Sequence, residues 1–229
     1  PVVEVTDAVL AERRAATLRA LAPRGHSSSG MADAAAALAE NLQEVPFALL
    51  YHANAAGGLA LAARTGCAPE GGLGSADAVA MEVYRTNAAR EIDDAGALLG
   101  GPRAGPWGEP VARALAVPLR RSAADAPIGS AVFGLSTRLR LDERYREFLE
   151  AIAREVAANL AAEAAKKAEQ ALLRREQAAR REAELQKENL VALLAQAPAP
   201  MVLLRGPQLV VELANDYACR LWRREPAEV

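Results

Sequence analysis

The chain has 229 residues, 52% of them apolar but only 4% aromatic, and a formal net charge of −2. That length allows one or two domains, and the near balance of acid and base argues against a dedicated nucleic-acid binder, which carries a basic excess. Cys67 and Cys219 lie far apart, with neither metal spacing nor a disulfide framework, so a reducing, cytoplasmic setting is expected.

No apolar run reaches the roughly 18 residues of a membrane span. The N-terminus lacks the basic-then-apolar pattern of a signal peptide. Pro1 and the closing Arg224-Glu-Pro-Ala-Glu-Val229 read as the ends of a piece excised from a longer chain.

Val2-Val-Glu-Val-Thr6 reads as a strand end, and Asp7 as the cap of a helix to Leu21. Pro23 to Gly30 is a loop rich in Ser, Pro and Gly. An alanine-rich helix is expected from Met31 to Asn41. Phe47-Ala-Leu-Leu-Tyr51 and Leu59-Ala-Leu-Ala-Ala63 flank Asn54-Ala-Ala-Gly-Gly58 and predict a hairpin. Residues 66–76 form a Gly-rich loop, Asp77 to Thr86 a short helix, and Gly96 to Gly108 a long irregular excursion.

Two strong strands follow, Arg113 to Leu119 and Ile128 to Leu135. From Asp142 the period becomes helical, with Phe148, Leu149, Ile152, Val156 and Leu160 on one face. No Gly or Pro interrupts it before Pro198, which predicts about 55 helical residues, roughly 80 Å at 1.5 Å per residue. Met201 to Leu204 and Leu209 to Leu213 read as two strands around Arg205-Gly-Pro-Gln208, and Asn215-Asp216 opens a helix.

The stretch from Met31 to Leu160 resembles a GAF domain. The resemblance rests on Ala114-Leu-Ala-Val-Pro-Leu119, Pro127-Ile-Gly-Ser-Ala-Val-Phe133 and the helix led by Asp142-Glu143. Leu193 to Pro200, the two strands after it and Asn215 look like the opening of a PAS domain. Val2 to Thr6 with its helix resembles the exit of an upstream PAS domain.

These resemblances imply an α+β fold, a GAF-like antiparallel sheet flanked by helices, with a long C-terminal signalling helix and a truncated PAS-like start. The domain boundaries expected are 1–22, 23–160, 161–197 and 198–229. Arrays of this kind imply a bacterial hybrid sensor histidine kinase as parent. No phosphoacceptor box or ATP-lid motif occurs in this sequence, so a non-catalytic sensory relay is expected, with a dimerising spacer as the alternative.

His26 and His52 read as solvated or structural residues, since two histidines make no metal site without further ligands. Cys67 is followed by Ala68-Pro69 rather than the histidine of bilin-attaching relatives. Asn87 lacks the lysine of the cyclic-nucleotide pattern. The glycine clusters lack phosphate-loop spacing. No cofactor and no metal are therefore expected.

A GAF-like pocket would lie between the sheet and residues 66–110, where Arg64, Tyr84, Trp107 and Arg113 could contact an unknown small molecule. Packing roles for these residues are the alternative. Between Glu163 and Glu188 the long helix carries seven basic and six acidic residues, including the favourable pairs Glu163–Lys167 and Glu176–Arg180. An alanine seam that strengthens at Leu190, Leu193 and Leu194 points to a parallel homodimer, with a solvated single helix joining two domains as the alternative. No nucleic acid and no membrane contact are expected for this chain. A small-molecule enzyme would need clustered cysteines.

Overall fold

The computed structural model describes residues 2–22, 30–54, 57–66, 75–100, 105, 106 and 108–223. Contacts divide the chain into two compact units, Pro1–Lys166 and Lys167–Val229.

The first unit opens with α1, Val2–Leu21. The strand expected at Val2–Thr6 is helical instead. Valines favour strand only where a neighbouring strand takes up the backbone N–H and C=O groups. A helix satisfies those groups internally. Next come α2 (Gly30–Ala39), β1 (Ala48–Ala53) and β2 (Leu59–Thr65). In α2, Met31, Ala34, Ala35 and Leu38 form a buried stripe at helical spacing. β1 and β2 pair antiparallel as the expected hairpin, with an irregularity at Leu50/Tyr51.

α3 (Ala76–Thr86) ends at Asn87, whose φ of 52° supplies the left-handed residue that closes a helix. Two elements then occupy the stretch before the central strands. They are β3 (Arg90–Ile92) and α4 (Ala95–Leu98), the latter capped by Asp94 accepting from the Ala97 N–H at 2.9 Å. The expected irregular excursion thus begins after a turn of helix.

β4 (Ala114–Leu119) and β5 (Gly129–Gly134) are buried at every residue. The sheet order is β2-β1-β5-β4-β3, antiparallel throughout. Continuous burial of β4 and β5 follows from cover on both faces, which explains their unbroken apolar runs. Pro118 is tolerated inside β4 because β3 pairs only with Ala114–Ala116. Pro118 lies past that ladder, where a missing N–H breaks no bond. Gly129 is demanded by packing: a Cβ there would stand 2.1 Å from the Tyr51 carbonyl oxygen.

One sheet face carries Ala48, Leu50, Leu115, Val117, Leu119, Ala131 and Phe133 under α2 and α5. Helix α5 spans Glu143–Gln196, 54 residues. Its first part buries Tyr145, Phe148, Leu149, Ile152, Ala153, Val156 and Ala157. At about 1.5–3 kcal/mol for each large apolar side chain, this stripe anchors the helix to the sheet.

The second unit contains β6 (Val202–Arg205), β7 (Val210–Ala214) and α6 (Asp216–Trp222). β6 and β7 pair antiparallel as a two-stranded sheet. Asn215, only 3% exposed, organises it. Its Oδ1 accepts from the N–H groups of Met201 and Ala218, each at 3.0 Å. Its Nδ2 faces the carbonyls of Leu194, Ala197 and Ala199 at 3.1, 3.3 and 2.8 Å. One amide therefore caps α6 and ties β6 to the last turn of α5.

Candidate sensory site

The sheet face opposite α2 and α5 is where a sensory pocket is expected. β1 presents Leu49 and Tyr51, β4 presents Ala114 and Ala116, and β5 presents Val132. Above them lie Ala76, Ala80 and Val83 of α3 and Ala95 and Leu98 of α4. Leu99, Val111 and Phe47 complete this second core. Small residues on strands and helix let α3 approach the sheet closely, so side chains occupy the space between them.

Polar groups in this layer are few. Tyr51, 1% exposed, donates its hydroxyl to Asp77 Oδ1 at 2.9 Å, which fixes the start of α3 over β1. Ser130, 0% exposed, sits in β5 opposite Tyr51 and Pro118, and its Oγ finds no partner among the described residues. Neither residue was singled out from the sequence. A polar tip on Tyr51 inside an apolar strand was the available signal, because a buried phenol needs a partner.

The sequence-derived site residues come from separate elements. Arg64 lies half-buried in β2, registered opposite Leu49 and so on the face of the second core. Tyr84 lies half-buried on α3, directly after the buried Val83. Arg113 is exposed and immediately precedes β4, where its carbonyl accepts from the Leu135 N–H at 2.9 Å. Trp107, Cys67 and His26 lie outside the described residues. His52, one residue before the end of β1, is half-buried, with a buried Nδ1 that finds no partner among the described residues.

Two concavities are formed by other residues. A cleft of only ≈ 10 Å³ is lined by Pro46, Gly105, Pro106, Glu109, Val111, Ser136 and Thr137. At its rim Glu109 accepts from the Thr137 hydroxyl at 2.7 Å and from Arg138 Nη2 at 3.4 Å. The Thr137 bond, helped by the Arg138 charge, holds the Glu109 carboxyl below its ordinary pKa, against a smaller opposing effect of burial.

A groove of ≈ 460 Å³ lies on the other side of the sheet, among the end of α1, α2 and α5. Alanines from all three helices line it, with Asp33, Glu40, Asn159, Glu163 and Lys166 as its polar residues. Neither concavity is lined by Arg64, Tyr84 or Arg113. Among the described residues the expected pocket face is packed by side chains, and the larger of these two concavities lies elsewhere.

Among the described residues, no group of three or more His, Cys, Asp or Glu side chains could hold a metal ion. No helix among them is long and apolar enough to cross a membrane.

No protein-family model matches the chain, and no curated protein matches it. Solved structures similar to it include the GAF domain of the Acinetobacter phosphoenolpyruvate-protein phosphotransferase. That likeness covers 69% of this chain and 95% of the other, at 13% identity and a TM-score of 0.48. The GAF domain of the corresponding Coxiella burnetii protein gives the same coverage and TM-score at 17% identity. Staphylococcus aureus fRMsr, in complex with its substrate, covers 66% and 94% at 16% identity and a TM-score of 0.45.

Proposed function

We propose that this chain is a sensory and signal-relay segment of a two-component, sensor histidine kinase-type protein. The first unit is its GAF-like sensor. The second is the start of a PAS-like domain.

The observation that carries this reading is the division of labour along α5. Residues Tyr145 to Ala157 are core of the first unit, whereas the helix from Glu169 to Leu190 is exposed at every position. Leu172, Leu173, Leu185, Leu190 and Leu193 are 49–70% exposed. A polar helix with leucines facing solvent is what a parallel homodimer would cover. A state selected in the sensor, by a small molecule or a partner, would then bias the paired helices.

Catalysis is not part of the proposal, because the enzymatic alternative needs clustered cysteines and this chain has only Cys67 and Cys219. The setting proposed is the cytoplasm.

One observation favours a second reading, a dimerising spacer without ligand: side chains pack the layer between the sheet and α3–α4. Thermal unfolding of the chain against a library of small metabolites separates the two. A ligand that raises the unfolding temperature and is weakened by Arg64→Ala or Arg113→Ala supports the sensor. No shift with any metabolite supports the spacer. Sedimentation equilibrium tests the dimer, and a monomer at tens of micromolar would remove the paired-helix element from both readings.

A further inference from the structure

Helix α1 rests on the first unit through a narrow stripe. Thr17 and Leu21 are buried, at 6% and 2% exposure, while Leu18 packs only partly. The rest of the contact is polar. Glu44 is 1% exposed, and its Oε2 accepts from Arg14 Nε at 2.7 Å. The Arg14 guanidinium lies 5.3 Å from the ring centre of Tyr145 and 5.2 Å from that of Phe148, both in the first turns of α5. Asn41 Nδ2 donates to Thr17 Oγ1 at 3.0 Å. At the end of α1, Asn159 of α5 donates its Nδ2 to the Leu21 carbonyl at 2.7 Å. The Asp7–Arg144 pair at 3.5 Å is exposed and adds little.

This arrangement is specific but close to balance. A buried ion pair gains about what desolvation takes away, whereas removing one partner strands the other charge. Two acceptors in the same cluster, Glu44 Oε1 and Asn41 Oδ1, are buried and find no donor among the described residues. Each opposes the docked state. An apolar seam would hold α1 more firmly and less switchably.

We propose that α1 is a releasable helix, latched onto the turn before β1 by the Arg14–Glu44 pair and onto α5 by the Asn159–Leu21 bond and the Arg14 contacts with Tyr145 and Phe148. It leaves as a unit while the sheet and α5 persist. Because its contacts ascend together along both helices, from Arg14 on Tyr145 and Phe148 to Leu21 on Asn159, release acts on α5 directly, without passing through the sheet. The latch would give the segment a second input, separate from any ligand on the sheet. That regulatory meaning rests on the relay reading above; the release itself does not.

Hydrogen exchange on the full 229-residue chain tests the latch. Arg14→Ala should speed exchange over residues 7–21 at least tenfold, roughly the effect of stranding one buried charge, with β4 and β5 unchanged. The double variant R14M/E44L replaces the pair with apolar groups of similar volume and should slow exchange of the same residues below the native rate. Equal acceleration of α1 and β4–β5 in Arg14→Ala would make α1 part of one cooperative core and overturn the proposal. Faster α1 exchange in R14M/E44L would overturn it too, and that variant decides alone if Arg14→Ala does not fold. A negative metabolite screen leaves these rates untouched, so the latch and the sensor reading fail separately.

Discussion

Replacing Asn215 by alanine should loosen the second unit and leave the first intact. The side chain makes two acceptor contacts, to the N–H groups of Met201 and Ala218, and faces three carbonyls at the end of α5. Losing the α6 cap costs about 1 kcal/mol. Losing the bonds to the Met201 N–H and to the carbonyls of Leu194, Ala197 and Ala199, which are only partly shielded from water, adds roughly 2 kcal/mol together. The sum, about 3 kcal/mol, corresponds to about a 100-fold rise in local opening. Hydrogen exchange over residues 201–222 reads it directly. Asn215→Asp keeps the acceptor but sets a carboxylate against the carbonyls of Leu194, Ala197 and Ala199, so its deficit should shrink at low pH, where protonation restores one donor. The reasoning is refuted if Asn215→Ala changes exchange over 201–222 by less than threefold, or accelerates β4 and β5 equally.

Gly129→Ala should lower the thermal unfolding temperature by at least several degrees. Its Cβ would meet the Tyr51 carbonyl, backbone that cannot step aside, and so would disturb the β1–β5 pairing. Tyr145→Phe should destabilise the first unit by about 1–3 kcal/mol in chemical denaturation. The hydroxyl donates to the Glu44 carbonyl and accepts from the Ser136 N–H, and both groups would be left buried. Burial raises the Tyr145 pKa above its ordinary value, with the Glu44 charge adding to it. Its contribution is therefore complete below about pH 10, where an unfolded tyrosine ionises, and is lost as pH rises toward the folded value; Tyr145→Phe should flatten the alkaline limb of the stability curve. For Glu109 the sign is opposite. Its folded pKa is lowered, so its contribution is present above the ordinary carboxylate range and lost as pH falls through the folded value. Thr137→Val should raise the Glu109 midpoint in an NMR titration, and an unmoved midpoint would remove the Thr137 hydroxyl as the cause.

The strands easiest to read were those covered on both faces. β4 and β5 are buried throughout, so their apolar runs carried the signal unbroken. The length of α5 was equally legible, since only glycine and proline end a helix so plainly in sequence and none occurs before Pro198. Val2–Thr6 misled because β-branched side chains report a preference that only a partner strand can satisfy. β3 was missed since three residues, two of them charged, carry no period, and its existence depends on the Ala114–Ala116 edge it lies against.

The candidate site was less legible. Arg64 lies on the sheet face of the second core, and the packing over β1, β4 and β5 depends on how closely α3 approaches, which no local pattern reports. Tyr51 and Asp77 are separated by 26 residues, and Arg14 and Glu44 by 30. Nothing local marks such partners, because only the closed fold brings them together.

The two edges of the five-stranded sheet are not equivalent. β3 ends it with Arg90 and Glu91, short and charged, which discourages a strand from another molecule. β2 ends it with seven residues, Leu59-Ala-Leu-Ala-Ala-Arg-Thr65, in which the first charge comes at the sixth position. Among the described residues no strand pairs with its outer side. Aggregation during refolding at high concentration should therefore begin along β2, and a lysine at the exposed Ala62 is the substitution expected to suppress it.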